Sequence, residues 1–247
     1  MHMMDATRIA GRLAECGLDI SFPACEQLAR YHCMLMDWNT RMDLTAVTDE
    51  EDMLDRHYVD ALMLLRFPDL LPASGRVIDV GTGAGLPGLP LAIARPDLSF
   101  TLLDSQQKRL TFLDAVISDL ALLNVTLVHA RAEDGGRDKT FRDCFDLAVA
   151  RAVAPLPVLA ELLLPYVRPG ALAVCWKGPS VAQEREAGRK AAFVLGGSLG
   201  EDLPYTFPGR DWQHVLVPLC KRTPTPKTYP RKAGIPARRP LGVELLR

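Results

Sequence analysis

The six cysteines of this 247-residue chain (Cys16, Cys25, Cys33, Cys144, Cys175 and Cys220) include no CxxC pair. That absence excludes the common zinc and redox spacings, and their mostly apolar neighbourhoods read as reduced core thiols. No low-complexity tract interrupts the chain, no basic-then-apolar leader opens it, and no apolar run approaches bilayer-spanning length. The expectation is a cytoplasmic protein with no membrane segment and no structural metal. At 48% hydrophobic residues, the chain can bury one large core plus a modest extension.

Charge is short of one sign in each part of the chain. Residues 1–220 carry 21 Lys and Arg against 29 Asp and Glu, whereas residues 221–247 carry eight against one. The tail KRTPTPKTYPRKAGIPARRPL has too many prolines for a helix and no acid before Glu244. Basic, extended and carrying Tyr229, it resembles an arm laid along a phosphate backbone. A solubilising terminus is the plainer alternative.

Three regions follow from the patterning. Residues 1–70 read as helical, from apolar periodicity at Ile9 and Leu13, at Leu28, Tyr31, Leu35 and Trp38, and at Met53, Leu54, Tyr58, Leu62 and Leu65; Ser21 before Phe22-Pro23 is a helix start. Residues 71–220 alternate strands with helices. Strands are expected near 76–80, 100–104, 126–130, 145–150, 171–176 and 214–219, with a weaker one near 192–197; helices are expected near 87–94, 106–122, 155–166 and 180–190. Apolar strands separated by helices indicate an α/β chain whose parallel sheet is covered on both faces. Residues 221–247 form the basic, Pro-rich tail.

The segment VIDVGTGAGLPG (Val77 to Gly88) is the most telling feature. A buried strand carries Asp79 near its end, then breaks into Gly81, Gly83 and Gly85, where the backbone turns and lies against a ligand. D-x-G-x-G-x-G fits S-adenosylmethionine, yet Gly83, Gly85 and Gly88 also make the dinucleotide pattern G-x-G-x-x-G. Pro87 lacks the N–H that a pyrophosphate would want at the helix start, and dinucleotide sites usually keep the strand apolar where Asp79 stands. Both details favour the sulfonium cofactor. Asp79 would orient the loop or receive a methionyl ammonium. Asp104, closing FTLLD about twenty residues on, suits a ribose diol or, more plainly, a helix cap. Glu133, after TLVHA and Arg131, suits an adenine amino group, though a solvated loop acid is as plain a role.

Together GTGAGLPGLPL, LLDSQQKRLTFL, Ala132-Glu133, ARAVAPL (Ala150 to Leu156) and WKG (Trp176 to Gly178) resemble the bacterial small-subunit rRNA guanine-N7 methyltransferases, the glucose-inhibited division protein B family. The helical stretch WNTRMDLTAV, with His57 and Asp60 beyond it, and the ending YPRKAGIPARRPL are similar to the same family, apart from Asp43 where members usually have Asn. The resemblance implies a Rossmann-like class I methyltransferase with a mostly parallel seven-stranded sheet and an N-terminal helical extension. It implies S-adenosylmethionine contacts at Gly81, Leu86, Ala132, Glu133 and Arg151, and 16S rRNA or the small ribosomal subunit as the partner.

Guanine N7 carries a lone pair and needs no deprotonation, so no dedicated general base is expected. Methyltransferases acting on exocyclic amines follow the fourth strand with Asn/Asp-Pro-Pro-aromatic, and Ala150-Arg151-Ala152-Val153 lacks it. Arg151 is expected in the ligand crevice, clamping a carboxylate or phosphate. Lys177 is a candidate phosphate contact. His57, one helical turn from Asp60, either closes the pocket or is a satisfied interface histidine. No exposed apolar stripe argues for more than a monomer. The alternatives are a small-molecule methyltransferase, a nicotinamide-dependent oxidoreductase, and a catalytically silent RNA-binding scaffold.

Overall fold

The computed structural model describes residues 4–151 and 154–243. Five parallel strands follow from the apolar runs: β1 Gly75–Val80, β2 Leu98–Asp104, β3 Val125–His129, β4 Phe145–Arg151 and β5 Val167–Lys177. They lie in the order β3-β2-β1-β4-β5, and β8 (Gln213–Lys221) then pairs antiparallel with β5. The order reverses between β1 and β4, so the carboxyl ends of the strands open a crevice there.

Among the described residues the sheet has eight strands where seven were expected. Its outermost position is shared by two short pieces, β6 (Gly197–Leu199) and β7 (Leu203–Thr206), each antiparallel to β8. The expected strand near 192–197 begins late because Arg185–Val194 is helical, with Ala191 and Ala192 buried on its inner face. Gly196, at φ +82°, turns the chain into β6.

The N-terminal region does not stand apart from the sheet. Helices α1 (Ala6–Glu15, capped by Asp5) and α2 (Phe22–Asn39, capped by Ser21) bury Ile9, Leu13, Leu28, Tyr31 and Leu35. These residues share one apolar core with Leu89 and Phe112 from the helices that follow β1 and β2. A second core on the opposite face joins the Leu156–Leu163 and Arg185–Val194 helices to β4 and β5.

WNTRMDLTAV is not one helix. α2 stops at Asn39, whose Oδ1 accepts from the N–H groups of Leu44 and Thr45 while its Nδ2 donates to the Thr45 carbonyl. That side chain offers the backbone a turn in place of helical bonds. Helix resumes at Glu50–Met53 and widens into a π-helical segment, Leu54–Val59, before Asp60–Leu62. Such bulges recur at functional sites, where they re-aim side chains. Here the bulge precedes Asp60 and carries His57.

The basic tail is docked rather than free. Lys221 is buried and donates to the Leu164 carbonyl and Thr225, and it pairs with Asp143 at 3.2 Å. Arg142 donates to the Thr225 and Tyr229 carbonyls, and Arg137 to that of Pro230. Arg231 grips Glu161, a fully buried acid. Lys227, Lys232, Arg238 and Arg239 stay exposed. Glu244 and the rest of 244–247 lie outside the described residues.

Candidate active site

Strand β1 ends at Val80, and the next three residues cross the top of β2. Gly81 and Thr82 donate their N–H groups to the Leu103 carbonyl, and Gly83 donates to Asp104 Oδ2 at 2.9 Å. Gly81 and Gly83 have φ of +78° and +60°, which a side chain tolerates poorly. The loop stays flat against a cavity of about 490 Å³. Gly81, Gly83, Leu86, Asp104, Ala132 and Glu133 line it, as does Arg151 at the end of β4.

Two of the expected ligand residues stand behind the loop. Asp79 is fully buried and off the cavity wall; its Oδ2 accepts from Thr82 Oγ1 at 2.7 Å and from the Gly88 N–H at 2.8 Å. It ties the loop to the start of the Gly88–Ala94 helix. Gly85 likewise faces the core, where a Cβ would come within 2.8 Å of Leu113. The Asp79 carboxylate occupies the helix N-terminus that a dinucleotide pyrophosphate would need, so the G-x-G-x-x-G alternative loses its anion site. Tyr31, from α2, buttresses the loop by donating to the Ala84 carbonyl at 2.6 Å.

A nucleoside with a sulfonium side chain fits what remains. Asp104 Oδ1 accepts the Gln106 N–H, while Oδ2 accepts the Gly83 N–H and a long contact from Arg109 at 3.5 Å, so Oδ1 keeps a lone pair for a ribose hydroxyl. Leu86, Leu103 and Leu162 offer apolar wall. Arg109 also lines the cavity, and its Nε is buried without a partner among the described residues. Glu133 lines the cavity as well, and its Oε1 accepts the Gly234 N–H of the docked tail at 2.7 Å, a contact that no local pattern signals.

A second cavity, of about 360 Å³, adjoins the first, and His57 and Arg151 line both. Arg151 donates to Asp60 Oδ2 at 2.8 Å and to the Arg56 carbonyl at 2.5 Å. Asp60 Oδ1 accepts from Tyr205 at 2.6 Å and from His214 Nδ1 at 2.7 Å, and its carbonyl accepts from Trp176 at 2.8 Å. Burial opposes the charge on Asp60, but His214, Arg151 and Tyr205 outweigh it and hold the carboxyl below its ordinary pKa. Lys177 lines this cavity too, where it pairs with Glu184 at 2.7 Å and donates to the Ala154 carbonyl. Ala152 and Val153, in the run that follows β4, lie outside the described residues.

His57 is held between the cavities, with Nε2 2.8 Å from Thr45 Oγ1. Burial and the Arg151 charge push it down to about 4, which keeps it neutral near pH 7. Burial pushes Asp79 up to about 6, against the pull of Thr82, the Gly88 N–H and Arg151. The two groups act oppositely on stability. Through pH 4 to 6 the folded chain keeps a proton on Asp79 that the unfolded chain has lost, so stability falls as pH rises. Over pH 4 to 6.5 the folded chain lacks a proton that the unfolded chain carries on His57, so stability rises with pH. Asp79→Asn removes the first effect. Measured by urea denaturation, its stability relative to wild type is expected to climb by up to about 3 kcal/mol between pH 4 and 7. Parallel pH curves for the two proteins would show that Asp79 is an ordinary carboxylate.

Residues 24–201 match the family described as GidB, rRNA small subunit methyltransferase G. A ribosomal RNA small subunit methyltransferase G of Alkaliphilus oremlandii is 42% identical over 224 residues, covering 91% of this chain and 93% of its own. One of Lactobacillus johnsonii is 41% identical over 239 residues, covering 96% of this chain and all of its own. Among solved structures, a methyltransferase from Pyrococcus furiosus superposes with a TM-score of 0.51 at 16% identity, covering 79% of this chain and 98% of its own. M. jannaschii TYW2 in complex with AdoMet gives a TM-score of 0.51 at 15% identity, over 72% and 79%. At those identities the structural likeness speaks for the fold.

Proposed function

The chain belongs to the rRNA small subunit methyltransferase G family, and from that premise we propose that it transfers a methyl group from S-adenosylmethionine to N7 of a guanosine in 16S rRNA. One observation carries the assignment: two cavities, one suited to a nucleoside cofactor and one open beside it, meet at Arg151 and His57. When bound, the cofactor supplies an electrophilic methyl group on a sulfonium. Gly81, Gly83, Leu86, Asp104, Ala132 and Glu133 are the residues we assign to holding it, with Asp79 and Gly85 shaping the loop from behind.

The remaining work falls to the wall between the cavities. Arg151, fixed by Asp60 and the Arg56 carbonyl, presents its guanidinium to the cofactor's carboxylate. His57, neutral and desolvated, adds no positive charge where a cationic methyl donor must sit. Guanine N7 has no proton to lose, so alignment in a confined site supplies most of the acceleration. A single chain builds both cavities, which accords with a monomer, and a ribosomal RNA substrate accords with a cytoplasmic enzyme.

The test is transfer of labelled methyl to unmodified small subunits or their RNA, followed by cleavage mapping at 7-methylguanine. One labelled guanosine, cleaved as the N7 product, is expected. Label on an exocyclic amine, a ribose or only a small molecule would overturn the assignment and favour the small-molecule alternative.

A further inference from the structure

The second cavity contains a donor–acceptor arrangement that methyl transfer alone does not require. Arg151 and Lys177 contribute cationic donors to it. His214, from β8, lines the same cavity and is about a quarter exposed, with its side chain at 27%. Its Nδ1 lies 2.7 Å from Asp60 Oδ1. The same Asp60 oxygen accepts from Tyr205 and the other accepts from Arg151, so Asp60 is the acceptor here and the bond is made by an Nδ1–H of His214 donating to it. In the neutral ring the proton then sits on Nδ1, and Nε2, which makes no hydrogen bond among the described residues, keeps its lone pair. Tyr205 and Phe207 hold the ring edge-on at 5.8 and 5.2 Å between centroids.

We propose that His214 is a specificity residue for the target base, its Nε2 lone pair accepting the N1–H of a guanine lodged in the second cavity. This deepens the assignment above and rests on it. A modifying enzyme must take its base out of the stack and read the exposed edge. Guanine offers the acceptors O6 and N7 on one edge and the donors N1–H and N2–H on the next. The cationic donors suit O6, and Nε2 suits N1–H. Adenine reverses both positions: its amino group would face the cations and its bare N1 would face the His214 lone pair. Asp60 behind the ring strengthens Nε2 as an acceptor, as a carboxylate does behind a metal-bound imidazole.

The same contact favours the reaction. As the N7–carbon bond forms and the carbon–sulfur bond breaks, its electron pair stays on sulfur and positive charge enters the purine. N1–H becomes a stronger donor, and its bond to His214 tightens without the proton leaving N1. An interaction stronger in the transition state than in the ground state raises kcat.

The experiment is a cycle of two proteins against two RNAs: wild type and His214→Ala, on transcripts with guanosine or 1-methylguanosine at the accepting position. Wild type is expected to lose roughly 10²-fold in kcat/KM on the methylated base, because a site built to accept an N–H rejects its absence. His214→Ala should lose a similar factor on guanosine and be nearly indifferent to 1-methylguanosine. His214→Gln, which keeps an acceptor oxygen, should recover about ten-fold, and the cofactor Kd of each folded variant should match wild type. Equal sensitivity of wild type and His214→Ala to 1-methylguanosine would overturn the proposal. If wild type methylates no RNA at all, the enzymatic assignment falls instead.

Discussion

Arg151→Ala is expected to lower kcat/KM for methyl transfer by roughly 10²–10³-fold, about 3–4 kcal/mol, while the protein still folds. Arg151 closes β4 at the strand-order reversal and lines both cavities, so its loss is felt by both substrates. Its fold contribution is small by comparison. Asp60 keeps Tyr205 and His214 after the substitution, so the buried carboxylate is not left bare. Arg151→Lys should rescue little, because one ammonium cannot reproduce donation to Asp60 and the Arg56 carbonyl while still facing a ligand. The measurement is steady-state methyl incorporation with thermal unfolding of each variant alongside. Wild-type turnover by a folded Arg151→Ala protein would remove this residue from the site.

The contrast between Gly81 and Glu133 marks where sequence reasoning ends. Gly81, Gly83 and Asp104 were legible because strand, glycine turn and acid are local signals. Strand-end acids reach the crevice by topology alone. Asp79 was legible as important, but its side-chain direction depends on Gly88, nine residues ahead, folding back over it. Glu133 meets Gly234, 101 residues away, and His214 meets Asp60 across 154. No periodicity encodes such pairings, and an isolated histidine in β8 carries no local mark of function. Thr45 reached the cavity wall because Asn39 breaks the helix through its side chain, a competition invisible to apolar spacing. The split edge strand is similar: β6 and β7 are too short to alternate, and only β8 makes them strands.

The docking of the tail carries the largest expected effect on stability. Arg231→Ala should cost about 3–5 kcal/mol in unfolding free energy, the usual penalty for stranding a buried charge. Glu161 is fully buried in the Leu156–Leu163 helix, and Arg231 satisfies it with its Nε, Nη2 and backbone N–H at 2.9, 2.6 and 2.7 Å. Removing the guanidinium leaves a carboxylate in the core with one amide for company. The double variant Arg231→Ala, Glu161→Leu should recover much of the loss, because no carboxylate is then left buried without its counter-charge. An exposed, solubilising arm would leave all three proteins equally stable in urea. The same variants separate structure from RNA contact. Lys232, Arg238 and Arg239 are exposed on this docked segment, so neutralising them should flatten the salt dependence of RNA binding through fewer released counterions. Arg231→Ala, measured where it remains folded, should keep the wild-type slope. Truncation at Lys221 confounds the two roles, since it removes a buried lysine, the partner of Glu161 and the Gly234 contact to Glu133 together. An unchanged unfolding free energy for Arg231→Ala would mean that the tail does not strap the Leu156–Leu163 helix, and the basic arm expected from composition would return.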